Sequence, residues 1–133
     1  MVRRDFLQAE IDKLVQALAK IAGLKQAGNK QEAEVLINKY LHDDFDLKPD
    51  ELLLLNPDQL KELLAVKNYP AQKLDLLSRF LLESVSPFQP KPETIAILNH
   101  VLTIYTLLEQ AHHTQSLDNL NRQQNIIQFL KSK

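Results

Sequence analysis

Apolar residues open the chain at Leu7, Ile11, Leu14, Val15, Leu18, Ile21 and Ala22. Steps of three, four and seven residues place them on one face of an α-helix, and the pattern predicts a helix from about Arg3 to Ala27. Gly28 then ends it, because glycine takes the left-handed C-cap conformation at little cost. A second amphipathic face follows almost at once, with Ala33, Leu36, Ile37, Tyr40 and Leu41. So short a connection predicts two antiparallel helices, a hairpin over about 3–43.

The pattern then shortens. Asp43, Asp44, Asp46 and Asp50 crowd around Phe45 and Leu47, and Pro49 opens a brief segment through the run Leu52 to Leu55. Asn56-Pro57-Asp58-Gln59 has the form of a helix start: Asn56 as cap, Pro57 at the first helical position, Gln59 reaching back to close a capping box. That helix carries Leu60, Leu63 and Leu64 and ends near Asn68, so short helices fill 49–68. Pro70 begins the next, with Leu74, Leu77, Phe80, Leu81 and Val85 on one face. The stretch 86–92 holds Pro87, Pro90 and Pro92 and must be a connector, since proline removes a helical donor and clashes with the preceding turn. A helix over about Glu93 to His112 is apolar around most of its circumference, which predicts a central position. Ser116 is placed to cap a last helix, Leu117 to about Lys131, whose inward face is expected to be Leu120, Ile127 and Leu130. No segment alternates with period two, so the expected fold is all-α, with six or seven helices and no strands, in one domain of 1–133 whose C-terminal helices occupy 70–131.

Composition narrows the chemistry. With 133 residues and 44% hydrophobic side chains, a sizeable core is attainable without disulfides or metal. Sixteen basic and seventeen acidic side chains nearly cancel, and no basic stripe of the kind nucleic-acid binding requires is present. The absence of cysteine excludes disulfide scaffolds, thiolate zinc sites, iron–sulfur clusters and cysteine nucleophiles. Arg3-Arg4-Asp5-Phe6-Leu7 resembles a twin-arginine export consensus, but Glu10, Asp12, Lys13 and Lys20 break the apolar run that should follow. No apolar run approaches the roughly 20 residues of a membrane span. A cytoplasmic protein without membrane or nucleic-acid contact is expected.

Gly28-Asn29-Lys30-Gln31-Glu32-Ala33, followed by Ile37, Tyr40 and Pro49, resembles the turn and second helix of a tetratricopeptide repeat, in which a small residue such as Ala33 lets two helices approach closely. Ala17 and Ile21 stand where the first helix of that repeat has an aromatic residue and a glycine, Tyr40 is large where the repeat has a small residue, and no second copy follows. The whole layout is similar to that of a family of small helical bacterial proteins with no assigned chemistry. The resemblance implies repeat-like helical stacking and a protein-binding role.

Candidate reactive groups are few. His42, Asp43, Asp44 and Asp46 could supply metal ligands, but adjacent helical residues point about 100° apart, and an EF-hand fails because Pro49 and Leu55 stand where glycine and glutamate belong. His112-His113 sits at a predicted helix C-terminus, where an imidazolium complements exposed carbonyls. His100, on the most apolar helix, reads as a core histidine. Ser78, Ser84, Ser86, Ser116 and Ser132 lie in no glycine-flanked nucleophile elbow, and glycine occurs only at 23 and 28, so phosphate loops are missing. Leu52 to Leu55 reads as a core plug more than an interface, Phe88 to Pro92 as a stiff link, and Lys13, Gln16 and Lys20 as a solvated face, with Leu18 and Ala22 where a tetratricopeptide carboxylate clamp would have polar groups. The expectation is a non-catalytic interaction or scaffold module with no catalytic, cofactor or metal residue, and self-association through the last two helices as its first partner; the alternative is a small helical enzyme or metal-binding protein using His42, Asp43, Asp44 or His100.

Overall fold

The computed structural model describes residues 2–132, with side chains from residue 6 onward; the side chains of Arg3 and Arg4 lie outside the described residues. Seven helices follow one another, with no strand among the described residues: α1 (Val2–Gln26), α2 (Lys30–Asp43), α3 (Pro49–Leu52), α4 (Pro57–Lys67), α5 (Ala71–Val85), α6 (Pro92–Gln110) and α7 (Leu117–Ser132). The boundaries follow local chemistry. Gly28 has φ +85°, its N–H bonds the Lys25 carbonyl at 3.1 Å, and the Asn29 N–H bonds the Leu24 carbonyl at 2.8 Å. That is the paired arrangement of a Schellman cap. At α4 the Asn56 side chain accepts from the Gln59 N–H at 2.8 Å, and the Gln59 side chain accepts from the Asn56 N–H at 2.9 Å, so the capping box closes from both sides.

Buried side chains from all seven helices form one contiguous cluster. α6 runs through its middle, packed on α4, α5 and α7, while α5 also packs on α1 and α2. Phe45, in the link between α2 and α3, is fully buried and sits edge-on to Phe80 and Tyr69, with centroids 5.5 and 5.9 Å away. The Tyr69 hydroxyl donates to the Phe45 carbonyl, which ties the irregular acidic stretch to the start of α5. Burial pushes the Tyr69 phenol above its ordinary value.

Several expected positions shift. Val15 is 47% exposed, while Ala17 is buried; Val15 lines a gap between α1 and α5. α7 is turned by about 100° from the expected face: Asn119 and Ile126 are buried, Leu130 is half-buried as expected together with Phe129, while Leu120 and Ile127 face outward. The cause is polar, since Asn119 is drawn inward by a hydrogen bond to Asp75. α6 ends at Gln110, so His112 and His113 lie beyond it. They meet the terminus through backbone, with His113 at φ +52° and the Thr114 N–H on the Leu108 carbonyl at 2.8 Å. In the leucine run Leu52 is fully buried and Leu53 and Leu55 pack half-buried against the core, while Leu54 is 82% exposed. No helix among the described residues is long and apolar enough to cross a membrane.

Candidate functional site

Ion pairs and rings at the two ends of α5 set the helices around it. Near its start, Lys73 meets Glu10 of α1 at 3.3 Å, and Asp75 accepts from the Asn119 amide of α7 at 2.8 Å. Near its end, Lys25 of α1 donates to the Ser86 carbonyl at 2.8 Å and to the Glu83 carbonyl. Beyond it, Phe88 stacks edge-on with Phe129 of α7, centroids 5.4 Å apart. Early residues therefore meet early residues and late meet late, so α1, α5 and α7 run in the same direction. Three parallel helices with small residues at their seam leave a gap.

That gap is a groove of about 510 Å³ lined by Val15, Leu18, Ala19 and Ala22 of α1, Arg79, Leu82, Glu83 and Ser86 at and after α5, Phe88 of the connector, and Arg122 and Asn125 of α7. Its size lies within the roughly 300–1,000 Å³ range of small-molecule sites. Its two ends differ. At the end nearest Asp75, the Asn119 carbonyl accepts from the Arg122 guanidinium at 2.9 Å while the Asn119 amide donates to Asp75. Asn119 thus holds Arg122 in place and keeps it from pairing directly with Asp75. Among the described residues no carboxylate lies within 4.0 Å of Arg79 or Arg122. At the other end Glu83 is answered by Lys25, Nζ to Oε2 4.0 Å. Burial pushes the Lys25 ammonium below its ordinary value against the opposing pull of Glu83.

Beneath the arginine end lies Tyr105 of α6, buried, with a hydroxyl that makes no hydrogen bond of ordinary geometry among the described residues. Burial raises the phenol above its usual value; the nearby Ser78 hydroxyl and the Arg122 and Arg79 charges pull the other way. Asp75, Ser78, Arg79, Asn119 and Arg122 therefore form a polar seam between α5 and α7 that sequence reading missed. The signal was present: Asn119 and Arg122 are three residues apart on α7, and Arg79 interrupts an otherwise apolar stretch of α5.

The residues singled out from sequence are scattered. His42 contacts its neighbour Asp43, Nδ1 to Oδ1 2.9 Å. Asp44 is taken by Lys13 at 3.1 Å, whose ammonium the Asp44 carboxylate holds above its ordinary value, so Lys13 is no merely solvated side chain. Asp46 is taken by Lys67 at 2.6 Å, which keeps its carboxyl below the usual range. His100 is fully inside. Its Nε2 donates to the Leu52 carbonyl at 2.6 Å, and its Nδ1 has no hydrogen-bond partner among the described residues. His112 and His113 are exposed. Ser78, Ser84, Ser86 and Ser132 donate to backbone carbonyls, and Ser116 accepts from the Asn119 N–H as the cap of α7. Among the described residues no three His, Cys, Asp or Glu side chains converge as metal ligands. No family model matches the chain, and no curated protein or solved structure matches it.

Proposed function

We propose that the chain is a non-catalytic interaction module that associates with a second copy of itself through the outer face of α7, with α1 and α2 forming a tetratricopeptide-like hairpin at the opposite end of the sequence. The observation that carries the reading is an apolar stripe left in water. Leu117, Leu120, Gln124 and Ile127 fall within an arc of about 80° on α7 at 100° per residue, away from the buried Asn119 and Ile126. Leu117 is 74% exposed, and Leu120 and Ile127 are more than a third exposed. The residues beside the stripe, Asn121 and Gln128, are uncharged, so a two-fold axis that sets the stripe against its own copy brings no like charges together. An antiparallel arrangement also keeps the two Lys131 side chains at opposite ends. The hairpin reading is supported by the three-residue link between α1 and α2, by their direct packing and by the fully buried Ala33 at their turn.

Light scattering on a size-exclusion column tests it across a wide concentration range. The expected outcome is twice the chain mass at high concentration for the wild type and the single-chain mass for Leu120→Asp with Ile127→Asp, with helical circular dichroism unchanged. A wild type that stays at the single-chain mass throughout overturns the proposal.

A further inference from the structure

The groove between α1, α5 and α7 is independent of the outer face of α7, and its two ends call for different chemistry. At one end two guanidiniums, Arg79 and Arg122, stand without a carboxylate partner among the described residues. Arg122 spends one donor on Asn119, and a guanidinium has five. Its orientation is fixed by the relay through Asn119 to Asp75, so the remaining donors are pre-set. Leading away from that end, Leu18, Ala22, Leu82 and Phe88 supply aliphatic and aromatic wall. From Arg79 to Ser86 is seven residues, about 10 Å along the helix axis.

We propose that this groove binds a free fatty acid, its carboxylate held between Arg79 and Arg122 and its alkyl chain lying along Leu18, Leu82 and Ala22 toward Phe88. A carboxylate accepts parallel donors from a guanidinium better than any neutral head group does. The orientation is fixed as well, because a head group at the far end would meet Glu83, whose charge among the described residues only Lys25 balances. A cationic amphiphile is disfavoured at the arginine end, and a chain much longer than the groove must leave past the Phe88–Phe129 pair.

The test titrates the intact protein with decanoate below its micelle concentration, and in parallel with decyltrimethylammonium and decanol, observed by NMR. Decanoate is expected to saturate a single site, moving the Nε–H signals of Arg79 and Arg122 together with the methyl signals of Leu18 and Leu82. Decanol and the cation should bind about tenfold more weakly or worse. Arg79→Gln, which removes no hydrogen bond made among the described residues, should weaken decanoate about tenfold while leaving decanol unchanged. Ala22→Leu, which fills the tail end and touches no charge, should weaken decanoate more than hexanoate. Absence of saturation by decanoate, equal binding of the cation, or wild-type affinity in Arg79→Gln each overturns the proposal.

Discussion

Two sides of α5 face opposite fates. On one side Leu74, Leu77, Phe80 and Leu81 are sealed against α1, α2 and α6, almost without exposure. On the other, Arg79, Leu82, Glu83 and Ser86 look into a gap that α1 and α7 only partly cover. The sealed side arises from apolar side chains at helical spacing, and any helix that presents a complementary stripe can close it. The open side arises from where three helices are pinned, by Lys73–Glu10 and Asp75–Asn119 at one end and by Lys25–Ser86 and Phe88–Phe129 at the other. Polar and aromatic contacts hold those helices apart where their facing residues, Ala19 and Ala22, are too small to meet. Stability is concentrated on one side, and free surface chemistry on the other.

The sharpest way to break that contrast is to truncate each side in turn. Phe80 is fully buried, edge-on to Phe45 and tilted against Tyr40 at 5.8 Å. Phe80→Ala should cost about 3–5 kcal/mol. Leu82→Ala, on the open side, should cost about 1 kcal/mol or less, because its side chain already meets water and leaves no closed cavity. Urea unfolding followed by circular dichroism measures both. Equal losses would mean that the groove is closed in solution and that α5 has no open side.

The same contrast explains what was legible in the sequence. The faces of α2 and α5 were readable because Ala33, Ile37, Leu41, Leu74, Leu77 and Leu81 obey the helical period and burial follows the period. Cap chemistry at Gly28, Asn56 and Ser116 was equally local, so it could be read without knowing the fold. α7 was misread because its depth is set by a hydrogen bond across 44 residues, Asn119 to Asp75, and an asparagine does not advertise itself as a buried residue. Val15 was misplaced for a related reason, as an apolar residue at the edge of a stripe falls inside or outside according to where the neighbouring helix lands. The groove was invisible because no period marks a gap. His100 was rightly placed in the core, but its partner, the Leu52 carbonyl, is a backbone atom that no side-chain pattern reveals.

A second prediction separates two buried phenols that look alike in sequence. The Tyr69 hydroxyl has a partner, the Phe45 carbonyl, and it stitches the α2–α3 link to the core. Tyr69→Phe leaves that carbonyl without its donor in a buried setting and should destabilise by about 1–2 kcal/mol. Protection of amides near Phe45 from hydrogen exchange should fall by more than protection within α6. A neutral Tyr69→Phe would show that the link is held by ring packing alone.

Tyr105 lies under the open side and should respond with the opposite sign. Its hydroxyl is buried without a hydrogen bond of ordinary geometry among the described residues, so Tyr105→Phe removes a desolvated polar atom and keeps the ring. The expected change is neutral to a gain of about 1 kcal/mol. It should also be pH-dependent. Burial raises the phenol above its ordinary value in the fold, so the folded state keeps its proton where the unfolded chain has begun to lose it. The stability that accompanies the bound proton is complete below the unfolded value, about 10, and is lost as pH climbs from there toward the raised value. Tyr105→Phe should therefore flatten part of the alkaline decline in unfolding free energy, leaving the part contributed by Tyr69, whose value is also raised. Were Tyr105→Phe to cost stability at neutral pH, the hydroxyl would have to be bonded, with Ser78 and Arg122 its nearest candidates. The arginine end would then be a closed hydrogen-bond network with no donors to spare.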